Sequence, residues 1–166
     1  AGFEATFSLF GGSRFNLTEA GTAAVFLAVG LLMSAVQGGL IGPLTQRFGS
    51  LKLLRVGQVC VAAGMLFLGA AVIWPVLIIA LVLVVIGAGI SSPSLTTLVA
   101  NSAPEAKRGE VLGFQQSSNA LARVIGPPLA GLAFDHIGVG APFTFGAGVY
   151  LIAIVVASRR SLRHSK

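Results

Sequence analysis

Residues 51–100 read LKLLRVGQVCVAAGMLFLGAAVIWPVLIIALVLVVIGAGISSPSLTTLVA. Two apolar runs, Leu51–Ile73 and Val76–Ala100, flank a short turn, Trp74–Pro75, that carries no charge. A helix rises about 1.5 Å per residue and the hydrocarbon core of a bilayer is about 30 Å thick, so about 20 apolar residues cross it. Each run is long enough. The stretch therefore predicts two antiparallel helices whose solvent is lipid, with Trp74 as an interfacial aromatic.

The same reading extends outward. Residues 20–44, 110–134 and 140–158 form three more runs of membrane length, and residues 1–10 form a shorter one at the start. The expected fold is an all-α integral membrane bundle of six helices with the first helix truncated, one domain over residues 1–166. Composition agrees. The chain is 55% hydrophobic and 10% charged, with mean hydropathy +0.91, where a water-soluble domain carries about 25% charge. Seventeen of the 22 glycines lie within the apolar runs, where glycine allows helices to approach closely. No basic region precedes residues 1–10 and Ala1 reads as the middle of a helix, so a longer polypeptide is expected, with an upstream half outside these residues.

The net charge of +6 does not mark a nucleic-acid binder, because nine of the eleven basic residues lie in alternate loops and the tail. Arg47, Lys52 and Arg55 follow the second run, Lys107 and Arg108 precede the fifth, and Arg159, Arg160, Arg163 and Lys166 close the chain. The other loops, residues 11–19, 74–75 and 135–139, are nearly free of basic residues. This alternation places the C-terminus in the cytoplasm of the membrane that holds the chain. Cys60 has no disulfide partner, and His136 and His164 stand apart in a loop and the tail, so no metal site and no cofactor are expected.

Local signals mark the ends and seams. Asn16-Leu17-Thr18-Glu19 offers a polar N-cap to the second helix, and Pro142 opens the sixth. Gly30, Ser34, Gly38 and Gly42 recur every four residues, as do Ala88, Ser92, Thr96 and Ala100. Each ladder suits close helix packing within the bundle, or a seam where helices move. Gly126-Pro127-Pro128 with Gly131 removes two backbone donors and predicts a kink or local break.

The loop Gly42-Pro43-Leu44-Thr45-Gln46-Arg47-Phe48-Gly49-Ser50-Leu51-Lys52 resembles the loop motif of the major facilitator superfamily. Gly42, Leu44, Arg47, Gly49 and Lys52 match the pattern, and Gln46 stands where the family usually has Asp. The run Pro104-Glu105-Ala106-Lys107-Arg108-Gly109 is similar to the family's exit from its tenth helix, and Gly126-Pro127-Pro128-x-x-Gly131 to its eleventh. The resemblance covers the whole chain. It implies the C-terminal half of such a protein, helices seven to twelve, built as two inverted three-helix repeats. It implies secondary active transport of a small molecule by alternating access, proton-coupled efflux or exchange in the manner of bacterial drug exporters, in an inner (plasma) membrane. The implied partners are lipid, the missing six-helix half, a small-molecule substrate and, in a larger complex, other membrane subunits. No nucleotide-binding loop occurs, and no enzyme-like arrangement of His, Asp, Ser or Lys is found at membrane depth. The alternative is a bundle that has lost transport and serves as a membrane scaffold or assembly subunit.

Five residues are candidates for the substrate or proton pathway. Gln116, Asn119 and Arg123 share one helix face, with Gln115 beside them. A charge at the depth of Arg123 costs about 2.5–3.5 kcal/mol and needs protein, water or a counter-charge. The stripe either binds substrate or locks the bundle through hydrogen bonds. Glu4 lies within the first helix, at a depth that allows a Glu4–Arg123 pair or a proton-carrying role. The hydroxyls of Ser94, Thr96 and Thr97 are expected to bond to their own helix backbone. Gln37 and Gln58 are expected to hold helices together.

Overall fold

The computed structural model describes residues 2–138 and 140–163, with the side chains of 2–6, 9, 134, 135 and 156–163 outside the described set. Six long helices follow one another, α1 (Gly2–Phe15), α2 (Glu19–Phe48), α3 (Ser50–Ala70), α4 (Trp74–Asn101), α5 (Arg108–His136) and α6 (Ala141–Arg163). Among the described residues there is no strand. By length and composition, α2, α3 and α4 are each long and apolar enough to cross a membrane. The described apolar part of α6, Ala141–Val155, is shorter, and α5 has the length but carries Gln115, Gln116, Asn119 and Arg123 in its middle.

Chain chemistry sets the joints. Thr18 caps α2, its hydroxyl accepting from the Gly21 amide at 3.1 Å, and Asn16 adopts the left-handed conformation (φ 49°) in the turn before it. Gly49, at φ 76°, is the single residue between α2 and α3, and its amide donates to the Thr45 carbonyl at 3.0 Å. A side chain there would strain the backbone. Pro75 occupies the first turn of α4, where its missing N–H removes no helix bond.

Three local features differ from expectation. Helix α1 continues past residue 10 to Phe15, because its last turn is held from outside. Arg14 donates from Nη1 to the carbonyls of Gly69 (3.3 Å) and Ala71 (2.9 Å), which lie at the end of α3 and lack helix donors. The same guanidinium lies 5.7 Å from the Phe10 ring centre. Second, α2 widens into a π-turn at Val36–Leu40, with the Ile41 amide donating to the Val36 carbonyl. Two adjacent glycines, Gly38 and Gly39, and the missing donor of Pro43 accompany the distortion. Third, α5 runs unbroken through Pro127 and Pro128, so the expected local break is absent. Each proline takes away one donor, leaving the carbonyls of Arg123 and Val124 without a helix N–H, and the remaining ladder carries the helix through.

The packed centre is the pair α3–α4. Leu53, Gly57, Val61, Gly64 and Leu68 face Leu77, Ala80, Val84, Gly87 and Ser91, all buried. A Cβ built on Gly87 would stand 2.6 Å from the Gly57 carbonyl oxygen and 2.7 Å from the Val61 nitrogen. One on Gly64 would stand 2.8 Å from the Val84 nitrogen and 2.9 Å from the Ala80 oxygen. Backbone meets backbone here. Helix α6 joins α3 in the same way, where a Cβ on Gly140 would lie 2.6 Å from the Gly69 oxygen. An apolar cluster of Phe7, Phe10, Leu68, Leu77, Leu81 and Phe143 ties α1, α3, α4 and α6 together at the Arg14 end. The Phe10 and Phe143 rings meet edge to face at 5.1 Å, and Phe15 meets Trp74 at 5.2 Å. A smaller cluster, Val36, Leu53 and Ile90, joins α2 to the pair at the other end.

The expected packing of the α2 ladder within this bundle does not occur. Gly30, Ser34, Gly38 and Gly42 are exposed, and a Cβ at any of the three glycines would meet nothing within 4 Å. On α4, Ser92 and Thr96 are likewise exposed. Ser94, Thr96 and Thr97 donate to the carbonyls of Ile90, Ser92 and Pro93 at 2.8, 3.2 and 2.9 Å, as expected of hydroxyls in a helix.

The two glycine sets predict opposite responses. Gly87→Ala lowers stability by about 2 kcal/mol through overpacking, whereas Gly30→Ala changes it by no more than about 0.5 kcal/mol or raises it. Thermal unfolding in detergent distinguishes them, and equal shifts contradict the seam. Arg14→Leu strands two carbonyls and lowers stability by about 1 kcal/mol, with Arg14→Lys restoring part of the loss in the same assay.

Candidate functional site

The middle of α5 presents polar groups where a membrane helix has reason to avoid them. Arg123 is the sixteenth of the 29 residues from Arg108 to His136. Gln116, Asn119 and Arg123 stand on one face at spacings of three and four residues and are all exposed. Leu121, Val124 and Ile125 beside them are exposed too. Gln115 turns the other way. Its Nε2 donates to Thr96 Oγ1 of α4 at 3.4 Å, while its Oε1 is enclosed without a partner among the described residues. The stripe thus divides, with Gln115 joining α5 to α4 and the other three opening outward. Ser117 and Ser118 are satisfied by the carbonyls of Gly113 and Phe114.

Arg123 has no ion pair and no hydrogen bond among the described residues. The described acids lie at helix ends, Glu19 at the start of α2, Glu105 in the turn before α5 and Glu110 in its first turn. Helix α1 packs on α5, but the side chain of Glu4 is outside the described residues, and with it the Glu4–Arg123 pair.

Beyond Arg123 the same helix helps form an apolar groove with α6. Its volume is about 710 Å³, and Gly126, Ala130 and Ala133 of α5 and Phe145, Gly146 and Val149 of α6 line it, with His136 at the far end. Sequence reasoning missed this groove. The signal was the small residues Gly126, Ala130 and Ala133 at helical spacing, masked by the attention that two prolines attract. Gly126, read together with Gly131 as part of a kink or break, lines this groove on a helix that runs on through both prolines.

The loop-motif residues sit together at the α2–α3 joint. Arg47 ends α2, Gly49 makes the corner, Lys52 opens α3, and Gly42 lies one and a half turns earlier, all exposed. On α3, Arg55 Nε and Gln58 Oε1 are enclosed without partners among the described residues, so this oxygen joins no described helix, and Gln37 is exposed. No group of three His, Cys, Asp or Glu is gathered among the described residues, and Cys60 is free.

The arrangement has counterparts among known proteins. The family model of the Major Facilitator Superfamily matches residues 3–165. Human major facilitator superfamily domain-containing protein 10 is 27% identical over 161 residues, 97% of this chain and 35% of that relative. Multidrug resistance protein MdtG of Salmonella paratyphi A is 30% identical over 135 residues, 81% of this chain and 33% of that relative. The crystal structure of the human organic anion transporter MFSD10 (TETRAN) superposes with a TM-score of 0.85 at 28% identity, over 94% of this chain and 36% of that one. The chain therefore spans about a third of the length of the relatives it matches. With its apolar helices and a family match over nearly every residue, this chain belongs to the Major Facilitator Superfamily and is part of an integral membrane protein.

Proposed function

We propose that these six helices are one half of a secondary transporter that moves a small organic molecule by alternating access, rocking against a second six-helix half. The observation that carries this reading is the outward polar stripe Gln116–Asn119–Arg123 at the centre of a membrane helix. Lipid is a poor neighbour for three such residues, so a water-filled pathway or another protein surface covers them. The exposed α2 ladder Gly30–Gly42 offers a close-packing face for the other half on the same reasoning. Two of the relatives, an organic anion transporter and a multidrug resistance protein, support transport as the activity.

In this reading the chain resides in a bacterial inner (plasma) membrane with Arg47, Lys52 and the C-terminus on the cytoplasmic side. Energy comes from a proton gradient, the direction is export or exchange, and Glu4 carries the coupling proton. Arg47 and Lys52, at the α2–α3 corner, act in gating or orientation. The chain performs no covalent chemistry.

Two experiments on the full-length polypeptide that carries these residues test the reading. In a Cys60→Ser background, Asn119→Cys reacts with a charged, water-soluble maleimide, while Val61→Cys, buried in the α3–α4 seam, does not. An Asn119→Cys thiol as inert as Val61→Cys contradicts a pathway at α5. In proteoliposomes, Glu4→Gln abolishes pH-driven uptake while the protein still elutes as a single folded species. Unchanged coupling removes Glu4 from the proton route.

A further inference from the structure

We infer that the groove between α5 and α6 seats one acyl chain of a phospholipid, in the leaflet remote from the α2–α3 corner, with the lipid's phosphate at the mouth beside His136 and Arg14. The inference is independent of the transport reading and needs only that these helices stand in a bilayer. Depth is the first argument. The groove runs along α5 from Gly126 to Ile137, about 16 Å at 1.5 Å per residue. The hydrocarbon core of a bilayer is about 30 Å thick, so one layer of chains is about 15 Å deep. The groove begins just past Arg123, at mid-helix, and ends where α5 ends at His136. It therefore spans one leaflet, from midplane to surface. Trp74 and Phe15, whose rings meet at 5.2 Å, mark that surface at the same end of the bundle.

Shape and chemistry select a chain with a polar head. The floor is small and half-buried, made by Gly126, Ala130, Ala133 and Gly146. The walls are large and exposed, made by Leu129, Leu132, Phe145 and Val149. A narrow floor between tall apolar walls admits a linear chain from the side, along its whole length. Donors stand at the end. His136 lines the mouth, and an imidazole keeps an N–H in either protonation state. Arg14 Nη1 lies 3.3 Å from the Gly69 carbonyl oxygen, and a Cβ built on Gly140 would lie 2.6 Å from the same oxygen. The guanidinium is thus at the start of α6, where Pro142, two residues after Gly140, lines the groove. Its Nε and Nη2 hydrogens are unspent among the described residues. A phosphodiester accepts charge-assisted hydrogen bonds from such donors. Asp135 lies two residues from both Ala133 and Ile137, so its place on α5 is about 160° round the helix from them. A chain leaving bulk lipid gains nothing from the hydrophobic effect. Residence rests on dispersion within the groove and on the phosphate contact.

The test uses the full-length polypeptide in proteoliposomes that contain phosphatidylcholine with a photoreactive diazirine on one chain, near the ester or near the methyl end. Mass spectrometry locates the adducts. The methyl-end probe marks residues 126–130 and 149, and the ester-end probe marks residues 133–137 and 142. Each exceeds by about fivefold the labelling of Phe67, Ile78 and Ile79, which are exposed at the same end of the bundle. Ala130→Phe, and separately Ala133→Phe, fills the groove and brings its labelling down to the level of those three. Melting temperatures in detergent establish that the variants are folded. Diacylglycerol with the same chain, which lacks the phosphate, labels the groove about threefold less, and His136→Ala lowers labelling by phosphatidylcholine about as much. Labelling no higher than at Phe67, Ile78 and Ile79, adducts without order in depth, full labelling of both filled variants, or equal labelling by diacylglycerol overturns the inference. So does a benzoylphenylalanine at position 129 that cross-links to the upstream half of the polypeptide, which gives the groove to protein instead of lipid.

Discussion

Gly57 and Gly87 bring two helix backbones together at a point where neither residue has a side chain, and a few residues along, Gly64 repeats the approach against Ala80 and Val84. In lipid the hydrophobic effect does not drive helices together, because the surroundings are as apolar as the side chains. Association comes from dispersion between closely fitted surfaces and from weak Cα–H contacts, both of which fall steeply with distance. A separation at which a single methyl group would lie 2.6 Å from a carbonyl oxygen leaves no room for adjustment. The α3–α4 pair is therefore the rigid element, and the others are placed by reference to it. Helix α6 is placed by Gly69 and Gly140, α1 by Arg14 and the Phe10 ring, and α2 by Val36 against Gly89.

The remaining surface has the opposite character. Helices α2 and α5 turn small and polar residues outward, and little in the described chain covers them. A small-residue face that meets nothing costs helix stability, because glycine is a poor helix former. A guanidinium at mid-helix costs more. Both are consistent with surfaces that meet a partner during function. A stiff core carrying open faces is what a rocking carrier requires, since the core must move as a body while the faces change neighbours. The π-turn at Val36–Leu40 lies on α2 beside that open face, and Pro127 and Pro128 lie on α5 beside the other.

Much of this was legible in the sequence, for reasons that are local. Apolar runs of membrane length become helices because lipid leaves a backbone no other way to satisfy its hydrogen bonds. Thr18 as a cap and Gly49 as a corner are short-range chemistry. The polar stripe was visible from spacing alone. The rest depended on contacts between distant residues. Arg14 extends α1 through carbonyls 55 and 57 positions away, which no window of sequence reveals. The ladder Gly30–Gly42 and the set Gly57, Gly64 and Gly87 look alike as text, and only the neighbour of each helix decides which is filled. Pro127 and Pro128 read as a kink or a break, and the helix runs on through both because flanking bonds hold it. The α5–α6 groove is a space between residues and has no sequence signature of its own beyond the small side chains that leave it open.

Hydrogen exchange on the full-length polypeptide in a lipid nanodisc tests the central claim, a rigid glycine-seamed core beside an α5 face open to water. The account predicts that amides of residues 57–64 and 84–91 exchange slowest of all, while those of residues 115–123 exchange measurably faster despite lying at the middle of a helix of similar length. Uniform protection of α5 at the level of α3 and α4 would contradict it.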